Sequence, residues 1–411
     1  MKISKERRSG MVNYICDGIK DIILKFGPRD PGSEGERKAQ EYIAEELRNY
    51  TDEVTIEDFK LNPQSFMGWI PITVTIALIA YIASFFIPFV SIILVVIALI
   101  PMLSQFVLYK KLMDPLFPEK VSCNVMAVKK PKGEIKRRIV FNGHVDATWE
   151  WTFNHKFGFV GFTLEFLGSI IGIVYMVAYC IVALIYNGGV GYAVSSGVPM
   201  IMGLVGLVFV PFWIGMYWFS DTKTVVDGAN DNLTACLMSM AIVKTLKEEG
   251  IELENTEVCA LISGSEEAGL RGAKAFAKEH KDDYNDVETI FIPMETLREI
   301  EHLTIYTKDL NGLVKTDKQV AGLLKKAGRA VGHEIPYGTV TIGSTDAAAL
   351  TQGGFKACCL AALDHKLRDY YHTRRDTYDN LNPECLGVVY DIAMEALKIY
   401  DQEGLDNLPE D

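Results

Sequence analysis

Four long stretches with almost no charged side chain interrupt this sequence, and they limit what it can fold into more than any other feature. No Asp, Glu, Lys or Arg occurs in 69–86 or in 88–109, and only a short turn at Ile87 and Pro88 separates the two runs. Two further spans, 165–186 and 198–219, are nearly uncharged, and the turn joining them, NGGVGYAVSSG, carries no charge. Each run is close to the ~20 residues that cross a bilayer core. The expectation is four transmembrane helices in two hairpins, each leaving and returning on the same side. Lys110, Lys111, Lys120, Lys156 and Lys223 flank the spans on the hydrophilic side, whereas neither outer turn has Lys or Arg. The positive-inside rule then turns the hydrophilic part toward the cytoplasm. The chain reads as a multi-pass integral membrane protein in contact with a lipid bilayer.

The hairpins also account for an apolar content of 49 %. The 411 residues leave room for one large or two ordinary domains beside them. A net charge of −12 argues against nucleic acid as the main partner. The eight cysteines form no CxxC pair and mostly sit in apolar runs, which suits reduced core residues in a reducing compartment. The basic start MKISKERRSG precedes a polar helix and not an apolar core segment, so no signal peptide is expected.

Outside the hairpins, helices and strands follow one another. Residues 11–26 have apolar positions at helical spacing, and GPRDPGSEGERKAQEYIAEELRNY reads as a turn, a Ser33 cap and an amphipathic helix. DEVTIEDF, SCNVMAVKK and RRIVFNGHVD are strands. Beyond Val225 come a helix from Asp231, strand EVCALIS, a helix over 269–280, strands ETIFIPM and HLTIYT, a helix over 316–331, strand FKACCLAAL and a helix over 383–400. This is an α/β sheet with helices on both faces. The hydrophilic domain is assembled from 1–65, 113–157 and 221–411, with hairpins inserted at 66–112 and 158–220. Ligands of such sheets gather where strands end in loops, and His144, Glu266 and Glu295 all sit at strand ends.

Five features carry chemistry: His144-Val145-Asp146, Asp231 in GANDN, the pair Glu266-Glu267, Glu295 in IPMETL, and His372 in YYHTRRDTYDN. Taken singly, Asp231 is a helix cap and the glutamates a solvated helix start. Taken together, two histidines and several carboxylates at element ends suit a borderline cation such as zinc. Paired acids let one bind metal while the other moves protons. Arg298, Arg374 and Arg375 are weaker candidates for a substrate carboxylate, being more simply solvated. Asp376 and Asp379 are expected to order their loop, and Asp346 to line the pocket or cap a helix. His155, His280, His302, His333 and His365 show no partner pattern.

GPRDPGSEGERKAQEYI, GHVD, GANDN, SEEAGLRGA and YHTRRDTYDN resemble the co-catalytic dizinc exopeptidases, metallopeptidase family twenty-eight. That family includes bacterial aminopeptidases, glutamate carboxypeptidases and single-zinc glutaminyl cyclases. SEEAGLRGA and GSTDAAAL are also similar to a sister family of dizinc aminopeptidases, but the YHTRRDTYDN motif favours the first. The resemblance implies a zinc-exopeptidase-like α/β/α sandwich with a mixed sheet and two Zn²⁺ per chain. One would be bound by His144, Asp231 and Glu295, the other by Asp231, Glu267 and His372. It further implies Asp146 behind His144, Glu266 as general base, and Tyr371 either as donor to an oxyanion or as simple aromatic packing. The family usually has aspartate where this chain has Glu295. If Glu295 failed to bind, a one-metal hydrolase or cyclase would result.

The leading function is therefore a zinc aminopeptidase acting on a peptide or amide substrate. The rivals are a hydrolase of N-acyl amino acids or lipid amides at the same dimetal site, a single-zinc glutaminyl cyclase, and a non-catalytic membrane scaffold. The hairpins suit a plain tether or a homo-oligomer contact. The second one interrupts the loop between Asp146 and Asp231, which raises the alternative that the bilayer forms part of the approach to the site. Trp149, Trp151, Phe153 and Phe157 are then expected near the headgroups.

Overall fold

The computed structural model describes all residues except 1–3, 191–192, 285, 365, 407 and 409–411, so His365 lies outside the described residues. Helix α1 (Lys5–Phe26) buries Ile15, Ile19, Ile22 and Ile23, as its apolar spacing requires. The Ser33 hydroxyl accepts from Glu36 N and opens α2 (Glu34–Leu47), satisfying an amide that the first turn leaves free. Strand β1 (Glu53–Leu61) leads into the apolar helix α3 (Ser65–Ser84), and the chain returns through α4 (Pro88–Pro101) and a π-helical turn, Met102–Val107. Strand β2 (Lys120–Lys129) then pairs antiparallel with β1, ending with Leu61 opposite Lys120.

Next come β3 (Arg137–His144), the short β4 (Trp149–Trp151) and the long helix α5 (Thr152–Asn187), which bends at Gly158 with a φ of 62°. Helices α6 (Gly197–Val205) and α7 (Val210–Gly215) bring the chain back to β5 (Ser220–Val225). The β4–β5 ladder is antiparallel and places Trp151 opposite Ser220. Each apolar hairpin thus springs from the end of an antiparallel strand pair, β1–β2 at the edge of the large sheet and β4–β5 as a separate two-stranded ribbon.

Four helical segments, Ser65–Ser84, Pro88–Val107, Thr152–Asn187 and Gly197–Trp218, are long and apolar enough to cross a membrane. Ile82, Val96, Ile171, Val174, Ile201 and Leu207 stand exposed on them, an apolar surface of the kind that lipid covers. The third segment begins well before the uncharged run, because the stretch holding His155 and Lys156 is already helical up to the Gly158 bend.

The remaining elements are α8 (Thr234–Glu248), β6 (Thr256–Ser263), α9 (Arg271–Glu279), β7 (Glu288–Leu297), β8 (Leu303–Asp309), β9 (Val314–Lys315), α10 (Lys318–Ala330), β10 (Tyr337–Thr339), α11 (Asp346–Gly353), β11 (Lys356–Ala357), β12 (Cys359–Ala362) and α12 (Pro383–Glu403). One mixed 10-stranded sheet follows the path β1-β2-β6-β3-β7-β12-β8-β10, with β9 on β8 and β11 on β7. Ile139, Phe141, Val258, Ala260, Ile290 and Ile292 point to the face covered by α1, α2, α8, α10 and α12. Their neighbours Val140, Cys259 and Phe291 face α9 and α11. Central strands buried on both faces need apolar side chains at every position, which is why β3, β6 and β7 are written that way. Strand β3 runs parallel to β6 on one side and β7 on the other, so three C-terminal strand ends lie together. All eight cysteines are free.

Candidate active site

His144 ends β3, Glu266 and Glu267 follow the end of β6, and Glu295 lies near the end of β7. Asp231 reaches the same point from the turn before α8. It was expected to open that helix, but the structure puts it in an irregular turn, Ala229–Leu233, and the helix proper starts at Thr234. His372 comes from the loop before α12. All five expected metal ligands converge; His144, Asp231, Glu267 and His372 are buried, and Glu295 is partly exposed.

Two donor groups emerge, His144–Asp231–Glu295 and Asp231–Glu267–His372. Asp231 belongs to both, and its two oxygens face opposite ways. Oδ1 is 3.3 Å from His144 Nε2, while Oδ2 is 3.1 Å from His372 Nε2. Glu295 Oε2 lies 3.8 Å from His144 Nε2, and Glu267 Oε1 lies 3.3 Å from His372 Nε2. Tetrahedral ligands at ~2.0–2.2 Å from zinc stand roughly 3.3–3.6 Å apart. The spacing fits two zinc ions sharing Asp231.

The charge balance fits them too. Burial pushes the carboxyls of Glu266 and Glu267 well above the usual range, and that of Glu295 up to about 8. Burial works against the charge of Asp231 as well, but its hydrogen bonds to His144 and His372 hold it well below the ordinary value. A buried set this rich in acids asks for cations, and divalent ions reverse the penalty on each carboxylate.

The supporting contacts are specific. Asp146 accepts from Glu266 N and Glu267 N at 3.0 Å each, and its Oδ1 lies 3.4 Å from His144 Nδ1. It therefore fixes the turn carrying both glutamates as well as facing the histidine. Ser265, in the left-handed region at φ 54°, is held by buried Glu36, which accepts from its backbone N–H at 2.6 Å and its hydroxyl at 2.9 Å. Asn232 donates to Glu295 Oε2 at 3.1 Å, and the Thr296 hydroxyl donates to Glu295 Oε1 at 3.0 Å. Asp376, expected only to order its own loop, accepts from Asn230 N, Asn230 Nδ2 and Asp231 N at 2.9, 2.7 and 3.1 Å. Asp346 accepts from the Ser263 hydroxyl and lies outside both donor groups.

Strand β4 buries Trp149 and Trp151 within the protein. Trp151 N donates to His372 O at 2.8 Å, and its ring meets the His372 ring edge-on at 4.3 Å. Tyr371 stacks on the same imidazole at 4.1 Å. Trp151 is a site residue that sequence reasoning missed, because its pairing to β5 is non-local. Arg374 is occupied by buried Glu150, Arg298 by Asn380, and Arg375 lies 3.8 Å from Asp369.

A cavity of about 360 Å³ opens above the ligands. Its charged lining is acidic apart from His372, and among the described residues no Lys or Arg lines it. Most of its wall is apolar and aromatic, including Phe66, Trp69, Phe162, Phe166 and Phe219 from the hairpins and their bases.

A mixed sheet carrying this donor set defines a zinc metallopeptidase-like hydrolase. The model of peptidase family M28 matches residues 219–397, the part of the chain that holds Asp231, Glu266, Glu267, Glu295 and His372. Solved structures with a similar fold include the aminopeptidase from Aneurinibacillus sp. strain AM-1, at 14 % identity and a TM-score of 0.58 over 96 % of each chain. The zinc aminopeptidase BSAP from Bacillus subtilis aligns at 13 % identity and a TM-score of 0.56, covering 97 % of this chain and 98 % of its own. The glutaminyl cyclase of Bacteroides thetaiotaomicron aligns at 13 % identity and a TM-score of 0.54, covering 94 % and 96 %. No curated protein sequence matches the chain.

Proposed function

We propose that the protein is a membrane-embedded dizinc aminopeptidase with its catalytic domain facing the cytoplasm. The observation carrying this reading is Asp231, whose two oxygens each face a different histidine in a buried nest of acids. The cavity suits the amino end of a substrate better than the carboxyl end, since no Lys or Arg among the described residues lines it to pair with a substrate carboxylate. That composition disfavours N-acyl amino acids and carboxypeptidase substrates, which bring a free carboxylate.

Zinc at these residues supplies a Lewis acid for the scissile carbonyl and lowers the pKa of water. Glu266 lies outside both donor groups, with Oε2 3.8 Å from His144 Nε2. As general base it takes the proton of the attacking water and returns it to the leaving amine. Asp146 holds Glu266 and Glu267 in register through their backbone amides, so one acid binds while its neighbour moves protons. Tyr371, packed on His372 and lining the cavity, is the donor to the developing oxyanion. Apolar walls exclude water from this exchange.

The test is metal content and amino-acid release from a peptide panel, for the wild type and Glu266→Gln in detergent. Two zinc per chain, with turnover of the variant reduced about 10²–10⁴-fold and zinc retained, is expected. No metal after zinc is added back would overturn the reading. For orientation, Ser195→Cys in the outer turn should react with an impermeant thiol reagent outside intact cells, and Lys223→Cys should not. The reverse pattern overturns the cytoplasmic assignment.

A further inference from the structure

The cavity does not stop at the catalytic domain. Phe159, Phe162, Thr163, Phe166 and Leu167 line it from α5. Their spacing places them on one helix face, so the cavity follows α5 for about 12 Å beyond the Gly158 bend, into its apolar span. Its lip is also apolar: Phe159 and Leu167 are 40 % and 47 % exposed, and Ile342, on the loop after β10, is 63 % exposed beside them. The opposite wall is fixed to the catalytic turn. Arg271 makes a two-pronged ion pair with Asp114 at 2.7 and 2.8 Å and donates to the Ser65 hydroxyl at the start of α3. Gly269, at φ 96°, leaves the space into which the Phe66 ring packs, 2.9 Å from where a Cβ would stand.

An exopeptidase that holds the amino terminus at the closed metal end must let the rest of its substrate out through the mouth. Here the mouth is an apolar groove along a membrane helix. We infer that the substrates are apolar peptides dissolved in the bilayer, and that the residues after the scissile bond lie along this α5 corridor. The inference rests on the aminopeptidase reading above. The reaction that supplies such substrates is one that cuts membrane-resident polypeptides and leaves a free amino terminus in the lipid.

The experiment uses the zinc-loaded full chain in lipid nanodiscs and leucine N-alkylamides of increasing chain length as probes. Water adds across the amide: the hydroxyl goes to the leucyl carbonyl, the C–N bond breaks, and the proton goes to the departing alkylamine. Referred to the amide free in water, kcat/KM along the corridor rises by roughly fourfold with each buried methylene until the groove is filled. A site open only to water gives a flat series on the same scale, because added methylenes gain no contact there. A falling or flat series overturns the corridor and leaves the aminopeptidase standing, provided that the short amides still release leucine. Release of leucine from none of them overturns the aminopeptidase reading itself. Thr163→Trp, which fills the groove with an apolar ring that lipid tolerates, should flatten the rise at unchanged zinc content, and an undiminished rise in this variant also refutes the corridor.

Discussion

Asp376 is the sharpest place to test whether the loop architecture, and not only the ligands, makes the metal centre. It is fully buried, and its carboxylate takes three hydrogen bonds from Asn230 and Asp231. Asp376→Ala leaves the backbone amides of Asn230 and Asp231 without acceptors in a dry environment. Each unsatisfied amide costs about 1–3 kcal/mol. The turn can escape a combined penalty of roughly 2–6 kcal/mol only by moving, since no other acceptor replaces the carboxylate. Movement displaces Asp231, and with it the one ligand common to both donor groups. Supporting groups of this kind are worth about 10–100-fold in metal affinity or activity. The assay is zinc titration against a competing chelator, with melting curves to verify folding. Asp376→Asn keeps one carbonyl oxygen for Asn230 but turns an amide toward Asp231 N, so it should fall between wild type and alanine. Unchanged zinc affinity in a folded alanine variant would refute the reasoning.

Three further outcomes are expected. Asp114→Ala strands the buried Arg271 guanidinium and should destabilise the detergent-solubilised protein by about 3–5 kcal/mol, read as a fall in denaturation midpoint. Trp151→Leu removes the edge-on support of His372 and should weaken zinc at the Asp231–Glu267–His372 group about tenfold while sparing the His144–Asp231–Glu295 group, which a biphasic zinc titration would reveal. For His280, burial disfavours the charged ring, but the hydrogen bonds it donates to Glu57 and Asp283 outweigh this and raise the pKa. The folded state therefore holds the proton more tightly than the unfolded one. The resulting stabilisation is full below the unfolded value of about 6.5 and is lost as pH rises through the raised folded value. The gap in melting temperature between wild type and His280→Gln should close as the buffer is made alkaline.

Much of the site was legible because each ligand breaks an apolar run. His144, Glu295 and the Glu266-Glu267 pair end strands that are otherwise uniformly buried, so their polarity stands out. Asp231 was legible as an acid but not in its backbone setting, since GANDN reads equally well as a helix start. The supporting acids were harder. Glu36 sits among charged residues of an amphipathic helix, and Asp376 in a polar loop, so both look solvated until the fold brings Ser265 and Asn230 against them. Trp151 was out of reach for a different reason. Next to a long hydropathic run an aromatic cluster resembles an interface belt, and nothing local announces that a three-residue strand will pair with Ser220 across an entire helical hairpin. The π-helical turn at Met102–Val107 is equally invisible to hydropathy, which registers composition and not hydrogen-bond spacing.

The two strand pairs from which the hairpins spring suggest how such a molecule is put together. Leu61 already faces Lys120, and Trp151 already faces Ser220. A segment grafted between paired residues begins and ends at one point, so its length places no demand on the ladder beneath it. Closing a longer loop costs only about 0.6 kcal/mol per doubling. The ends of such pairs are therefore ports at which a catalytic sheet can gain, lengthen or shed a lipid-seeking module without renumbering a single strand pair. Here the port beside β4 lies next to a metal ligand, so exchanging the module there rewrites the surroundings of the chemistry while the chemistry itself stays in place.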